Sequence, residues 1–369
     1  MFPMTPRIAV VQHGDVREAR RLRAAGEPEP YYGMHYSQGF LDRWMAGRPH
    51  LVVSLNAPAY REDRGESVAV GLPERVRQGV PRTLTQYLWA KRISRELRRF
   101  QPTHFLLRTG SLLAAMLLRT AIRQRWNTLA MFAGFFPNDR PYDRFVTRRI
   151  VRRLNDPLVF AAGNHRRPAA DSMTDAGLDP AKAIPWDYPL VRDPKDFPFK
   201  TLTGGPVEVI YAGSMVVNKG VGDVIDAVRL LRTEGRDVRL TLCGDGPDLP
   251  RFRDQSAELG AAAMCRKTSS LPTRHEFPEG FPLTMTEAFT AHTPVVASDH
   301  PVFTRVLKDG EGLRYFPAGD AAALARTLIA VCGDANAFDH LSRETATAFD
   351  RLQCPVRFHE VIERWLPTA

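Results

Sequence analysis

The chain has 369 residues, of which 44% are apolar and 25% charged. That balance belongs to a globular protein and excludes disordered and collagen-like classes. The length fits two domains, each large enough for its own core.

No apolar run reaches membrane-spanning length and no signal peptide is visible, so a cytoplasmic protein is expected. Cys243, Cys265, Cys332 and Cys354 form no C-x-x-C pair, which indicates neither a zinc site nor a disulfide framework. A reducing compartment fits that pattern. The net charge of +10 is uneven: residues 1–200 hold 33 Lys and Arg against 19 Asp and Glu, and the remainder 18 against 22. A surplus confined to the first half points to an acidic partner or to a solvated Arg-rich face. An anionic membrane surface, met peripherally from the inner side, and a lipid-diphosphate acceptor are the expected partners; nucleic acid is not.

Residues 7–12 (RIAVVQ) read as a buried opening strand, followed by the turn His13-Gly14-Asp15. Ligands of open α/β sheets bind beyond the carboxyl ends of strands, so this turn is a candidate acceptor contact or a plain turn. Residues 31–36 cluster aromatics, and 51–55 form a second strand. Residues 81–100 make an amphipathic helix with arginines on its polar face, a domain helix or a membrane-surface helix. Strands are expected at 103–107, 128–132 and 158–162, the last ending at Gly163-Asn164-His165. Strong helix patterns alternate with them, which argues for a doubly wound parallel sheet. No G-x-G-x-x-G follows the first strand, which disfavours a dinucleotide-binding dehydrogenase.

Residues 179–205 are rich in proline and read as the interdomain linker. A strand at 207–211 then leads into Ala212-Gly213-Ser214, with Asn218-Lys219-Gly220 and a helix beyond. Glycine at a strand end lets backbone approach a ligand, and a nearby lysine neutralises phosphate. A strand at 238–242 leads into Cys243-Gly244-Asp245-Gly246-Pro247. Residues 261–271 hold no apolar run fit for a buried parallel strand. Residues 272–301 join a Pro- and Gly-rich loop to a short helix near 284–291 and a strand at 295–297. Thr284 is the expected N-cap, with Glu287 completing a capping box. The first-turn N–H groups of such a helix suit a diphosphate, and Glu279 and Glu287 can accept hydroxyl hydrogen bonds.

The run EGFPLTMTEA, from Glu279 to Ala288, resembles the E-x7-E segment of family 4 retaining glycosyltransferases, and the segments around Gly213, Gly244 and Pro294 resemble that family in the same order. The resemblance implies the GT-B fold: α/β, with two doubly wound Rossmann-like domains facing a cleft. It implies transfer of a sugar from a nucleoside diphosphate donor to a glycan or lipid-linked acceptor hydroxyl, with retention, in polysaccharide or glycoconjugate synthesis. Glu279 is then the catalytic residue at the transferred sugar, and Glu287 holds the ribose. Gly213, Ser214, Lys219, Gly244, Gly246, Gly280, Phe281 and Leu283 bind the donor, while His13, Gly14 and His165 face the acceptor. The family generally needs no metal or other cofactor, and no D-x-D signature is present.

Three departures accompany the match. Ser214 replaces a frequent arginine, Ala133-Gly134 stand where members often carry a histidine, and only 33 positions separate Gly246 from Glu279. Members usually fit a further strand, helix and strand there, so the second domain is expected to lack elements. The expected layout is an acceptor-side domain at 1–197, a donor domain at 198–345, and a C-terminal helix at 346–369 crossing back. A non-catalytic nucleotide-sugar-binding descendant is the alternative.

Overall fold

The computed structural model describes residues 5–27, 29, 33–73, 82–136, 140–189, 192–260, 263–266 and 283–368. The described chain forms two compact units, one running to Pro189 and resuming at Cys354, the other taking the residues between.

In the first unit, β1 (Ile8–His13), α1 (Val16–Ala25), α2 (Met34–Met45) and β2 (His50–Leu55) open the chain. A hairpin of β3 (Tyr60–Arg64) and β4 (Ser67–Leu72) leads to α3 (Arg82–Phe100), β5 (His104–Arg108), α4 (Ser111–Arg123) and β6 (Asn127–Phe132). Then come α5 (Pro141–Leu154), β7 (Val159–His165), α6 (Arg167–Asp175) and β8 (Ala183–Asp187).

The second unit holds β9 (Val207–Ala212), α7 (Val221–Thr233), β10 (Val238–Cys243), α8 (Leu249–Ala257) and β11 (Ala263–Arg266). It continues with α9 (Leu283–Thr290), β12 (Val295–Ser298), α10 (Pro301–Thr304), β13 (Leu313–Phe316), α11 (Ala321–Cys332) and α12 (Ala335–Leu352). The chain ends with β14 (Val356–Arg357) and α13 (Phe358–Trp365), which belong to the first unit.

Among the described residues the first sheet has nine strands in the order β14-β8-β7-β6-β5-β1-β2-β4-β3. Every pairing is parallel except β3 with β4. Alternate side chains of a strand face opposite ways, and both faces here are covered. Ala9, Val11, Phe105 and Leu107 pack under α3 to α6; Ile8, Val10 and Leu106 pack under α1, α2 and α13. This is the doubly wound arrangement expected.

Four local expectations are corrected. The 179–205 run is not all linker, because Ala183–Asp187 is a strand of the first sheet. Its Pro185 is tolerated because β14 reaches only Trp186 and Asp187 on the other side. A further part of the run is tied to the second unit: His292 bonds the Pro194 carbonyl through Nε2 and Thr345 Oγ1 through Nδ1, at 3.1 and 2.9 Å. Gly163, Asn164 and His165 continue β7 instead of following it.

A strand does form within 261–271. Ala263–Arg266 pairs in parallel with β10, from Leu240↔Ala263 to Cys243↔Arg266. A four-residue strand is held by its ladder and needs no apolar period of its own. Among the described residues the second unit thus has a three-stranded sheet, β11-β10-β9, and a parallel pair, β12-β13. Finally, α9 starts at Leu283, so Thr284 lies inside its first turn and is not the cap.

Candidate functional site

In the second unit the turns after β9 and β10 are knitted together. The Gly213 N–H donates to the Cys243 carbonyl at 2.9 Å, and the Met215 N–H to that of Asp245 at 3.0 Å. The Asp248 N–H returns to the Met215 carbonyl at 3.1 Å, and the Asp248 carboxylate accepts from the Val217 N–H at 2.9 Å. The fully buried Met215 side chain anchors the crossing in the core beneath α7, α8 and α11.

Two glycines permit this contact. A Cβ at Gly244 would stand 1.9 Å from the Gly213 carbonyl oxygen, and one at Gly246 would stand 2.4 Å from that of Met215. Their first task is therefore backbone-to-backbone packing. Gly213, Ser214, Gly244 and Gly246 are brought together in this pair of turns.

Lys219 is exposed at the end of the short turn Val217–Lys219, on the same connection as Gly213. Gly220 then takes a left-handed conformation, φ 71°, and starts α7 with no side-chain cap. The positive end of the helix dipole thus follows Lys219 directly along the chain, and a lysine and a helix start both favour an anion.

Glu287 is exposed on α9, while Met285 and Phe289 on the helix's other side are buried with Ala348, Phe349 and Leu352 of α12. It lies outside the hydrogen-bonded pair of turns. Leu283 is the first residue of α9. Glu279, Gly280 and Phe281 lie outside the described residues.

In the first unit, His13 is the exposed last residue of β1, and its Nε2 lies 2.8 Å from Thr109 Oγ1 after β5. Gly14 makes the turn at φ 86°, and its N–H donates to the Leu55 carbonyl. Nearby, Arg108 donates to Gln12 at 2.7 Å, and Gln12 donates on to Gln38 at 3.0 Å.

His165, at the end of β7, donates through Nε2 to Asp187 at 2.9 Å, because a carboxylate can only accept. Arg166 Nε lies 3.2 Å from the other oxygen of Asp187. The Tyr188 N–H donates to the first at 2.8 Å. Burial pushes the His165 imidazole below its ordinary pKa, against the opposing pull of Asp187. Burial would raise Asp187, but the hydrogen bond and charge of His165, the charge of Arg166 and the Tyr188 N–H together hold it below the usual carboxylate range. His165 is therefore neutral near pH 7, with Nδ1 as its basic nitrogen.

The sequence singled out His13 and His165, and the fold sets Thr109, Arg166 and Asp187 beside them. These last three lie at or just after the carboxyl ends of β5, β7 and β8, which is where such sheets bind ligands. Asp187 stands 22 residues from His165, inside the proline-rich run, and no local pattern connects the two.

Residues 206–334 match the family described as Glycosyl transferases group 1. A phosphatidyl-myo-inositol mannosyltransferase of Mycobacterium leprae is 36% identical over 125 residues, which cover 31% of this chain and 33% of that one. The chain thus spans about a third of the length of the curated relatives it matches.

The structure of Alr3699/HepE from Anabaena in complex with UDP is similar with a TM-score of 0.59 at 13% identity, covering 94% of this chain and 96% of that one. An α,α-trehalose-phosphate synthase (UDP-forming) from Burkholderia vietnamiensis gives 0.61 at 12% identity, covering 96% and 95%.

Proposed function

We infer, from the match of residues 206–334 to the group 1 glycosyl transferases and from the GT-B fold, that the chain moves a sugar from a nucleoside diphosphate donor to an acceptor hydroxyl. The observation that carries this reading is the knitted pair of turns, 213–215 with 244–246, next to Lys219 and the uncapped start of α7.

In this reading the donor diphosphate lies along those turns, with Lys219 and the α7 amino end balancing its charge. Gly213, Ser214, Gly244 and Gly246 border it. Glu287 accepts hydrogen bonds from the ribose hydroxyls, Glu279 meets the transferred sugar, and the N–H groups of Gly280, Phe281 and Leu283 face phosphate or sugar. The acceptor is a glycan or lipid-linked glycoconjugate whose hydroxyl approaches His13, Gly14 and His165, and the anomeric configuration is retained. The neutral His165 offers Nδ1 to an acceptor hydroxyl while Asp187 fixes the ring. Departure of the nucleoside diphosphate receives the main catalytic help, through charge stabilisation.

The mannosyltransferase relatives and the UDP-bound neighbour support a sugar nucleotide donor, since their own names carry one chemistry or the other. The experiment is a panel of nucleoside diphosphate sugars, scored for thermal stabilisation and then for transfer, with the product anomer read by NMR. Stabilisation by one donor together with an α-linked product from an α-linked donor is the expected result. No stabilisation by any donor would defeat the assignment.

A further inference from the structure

Helices α3, α4 and α5 cover one face of the first sheet, and α4 packs against both of the others. Each joins two parallel strands, so each runs back against the strand direction and starts at the sheet's carboxyl edge. In their first two turns α3 and α5 expose large apolar side chains. Leu84, Tyr87 and Leu88 are 46%, 44% and 55% exposed, and Tyr142 and Phe145 are 49% and 46% exposed. Single exposed apolar residues are ordinary. Here five of the ten large ones exposed in the described chain gather at one end of one helix layer.

The charges complete the surface. Spacings of three and four carry the exposed stripe of α3 from Leu84, Tyr87 and Leu88 on to Lys91 and Arg95, opposite the buried Ile93 and Leu97. On α5, Arg148, Arg149 and Arg152 follow Phe145. The Lys91 ammonium sits 4.6 Å from the Tyr87 ring centroid, and the Arg149 guanidinium 4.2 Å from that of Phe145. Glu96, an acidic residue of α3, is taken by Arg61 at 2.9 Å. Arg95, Arg148, Arg149 and Arg152 form no ion pair with a described residue.

We propose that this face of α3 and α5 docks on an anionic lipid bilayer. Leu84, Tyr87, Leu88, Tyr142 and Phe145 enter the headgroup region, and the arginines meet the lipid phosphates. Apolar residues beside unpaired arginines are what such a surface holds. A second copy of the chain would bring like charge against like charge. A nucleic acid would satisfy the arginines and leave Leu84 and Leu88 without a use. Among the described residues no single helix is long and apolar enough to cross a membrane. Docking there sets the carboxyl edge of the first sheet beside the bilayer, where a lipid-linked acceptor would be presented. Binding to lipid needs no donor, so this inference is tested separately from sugar transfer.

The test is flotation of the full chain with vesicles of phosphatidylcholine, with or without phosphatidylglycerol. The wild type is expected to float with the anionic vesicles, to bind neutral ones about tenfold more weakly, and to be released by salt. L88E/F145E changes exposed positions and is expected to lose about tenfold in vesicle affinity with its melting temperature unchanged. R148E/R149E reads the same surface through its charge if the first pair melts early, with the same loss expected. Absence of the wild type from anionic vesicles at low salt would overturn the proposal. So would both double variants floating like the wild type, or tight binding of generic DNA without vesicle binding.

Discussion

Gly244 packs against the carbonyl of Gly213 so closely that no other side chain fits between them: an added Cβ would lie 1.9 Å from that oxygen. Gly244→Ala must therefore push the two turns apart. A loss of about 1–3 kcal/mol of stability is expected, in line with overpacked sites. Thermal unfolding checks the stability, and nucleotide titration of the folded remainder checks the turns. An unaltered melting temperature would mean that the turns are not locked as described.

Lys219 is exposed, so its replacement removes no core packing. Lys219→Ala is expected to weaken binding of a nucleoside diphosphate by about tenfold, and Lys219→Arg to retain most of it. Calorimetric titration of the two variants decides this. Equal affinity of Lys219→Ala and wild type would remove the lysine from the donor site.

Glu287 separates function from stability in the same way, because it faces outward while Met285 and Phe289 hold α9 to the core. Glu287→Ala should melt like the wild type and lose roughly 10- to 100-fold in donor affinity, the worth of a charged hydrogen bond. A variant with undiminished transfer would sink the role given to this carboxylate.

The His165–Asp187 pair gives the first unit a pH dependence. His165 titrates below its ordinary value in the folded chain, so the unfolded chain binds a proton first as pH falls below about 6.5. Stability should therefore decline below that pH. Asp187, held low when folded, adds a second loss as pH falls through the ordinary carboxylate range toward its own depressed pKa. His165→Gln should flatten the first decline and weaken the second, because the hydrogen bond and charge of His165 help to hold Asp187 low. Melting temperature against pH for both proteins is the measurement; identical profiles would exclude His165 as the source.

Five parallel strands of the first sheet, β1, β2, β5, β6 and β7, were legible because burial on both faces leaves continuous apolar runs, such as Val10–Val11 and Phe105–Leu107. The hairpin strand Tyr60–Arg64 was not, because at the sheet edge it keeps the charged run Arg61 to Arg64. Ala183–Asp187 was hidden by its proline, and Ala263–Arg266 by its shortness. At the candidate site the glycines stood out, but their closeness to each other's backbone depends on two turns about thirty residues apart. Asp187 was invisible for the same reason: the fold alone sets it beside His165.

The return of the last residues to the first sheet has a bearing on how the protein is made. Phe358, Val361, Ile362 and Trp365 fill one side of the core that Trp44 and Trp186 begin. A ribosome releases β1 through β8 long before it supplies those four side chains. Until then the strands have one helical layer complete and the other, held by α1 and α2, still lacking α13. Among the described residues the second unit waits for no such late segment, so its closure does not depend on α13.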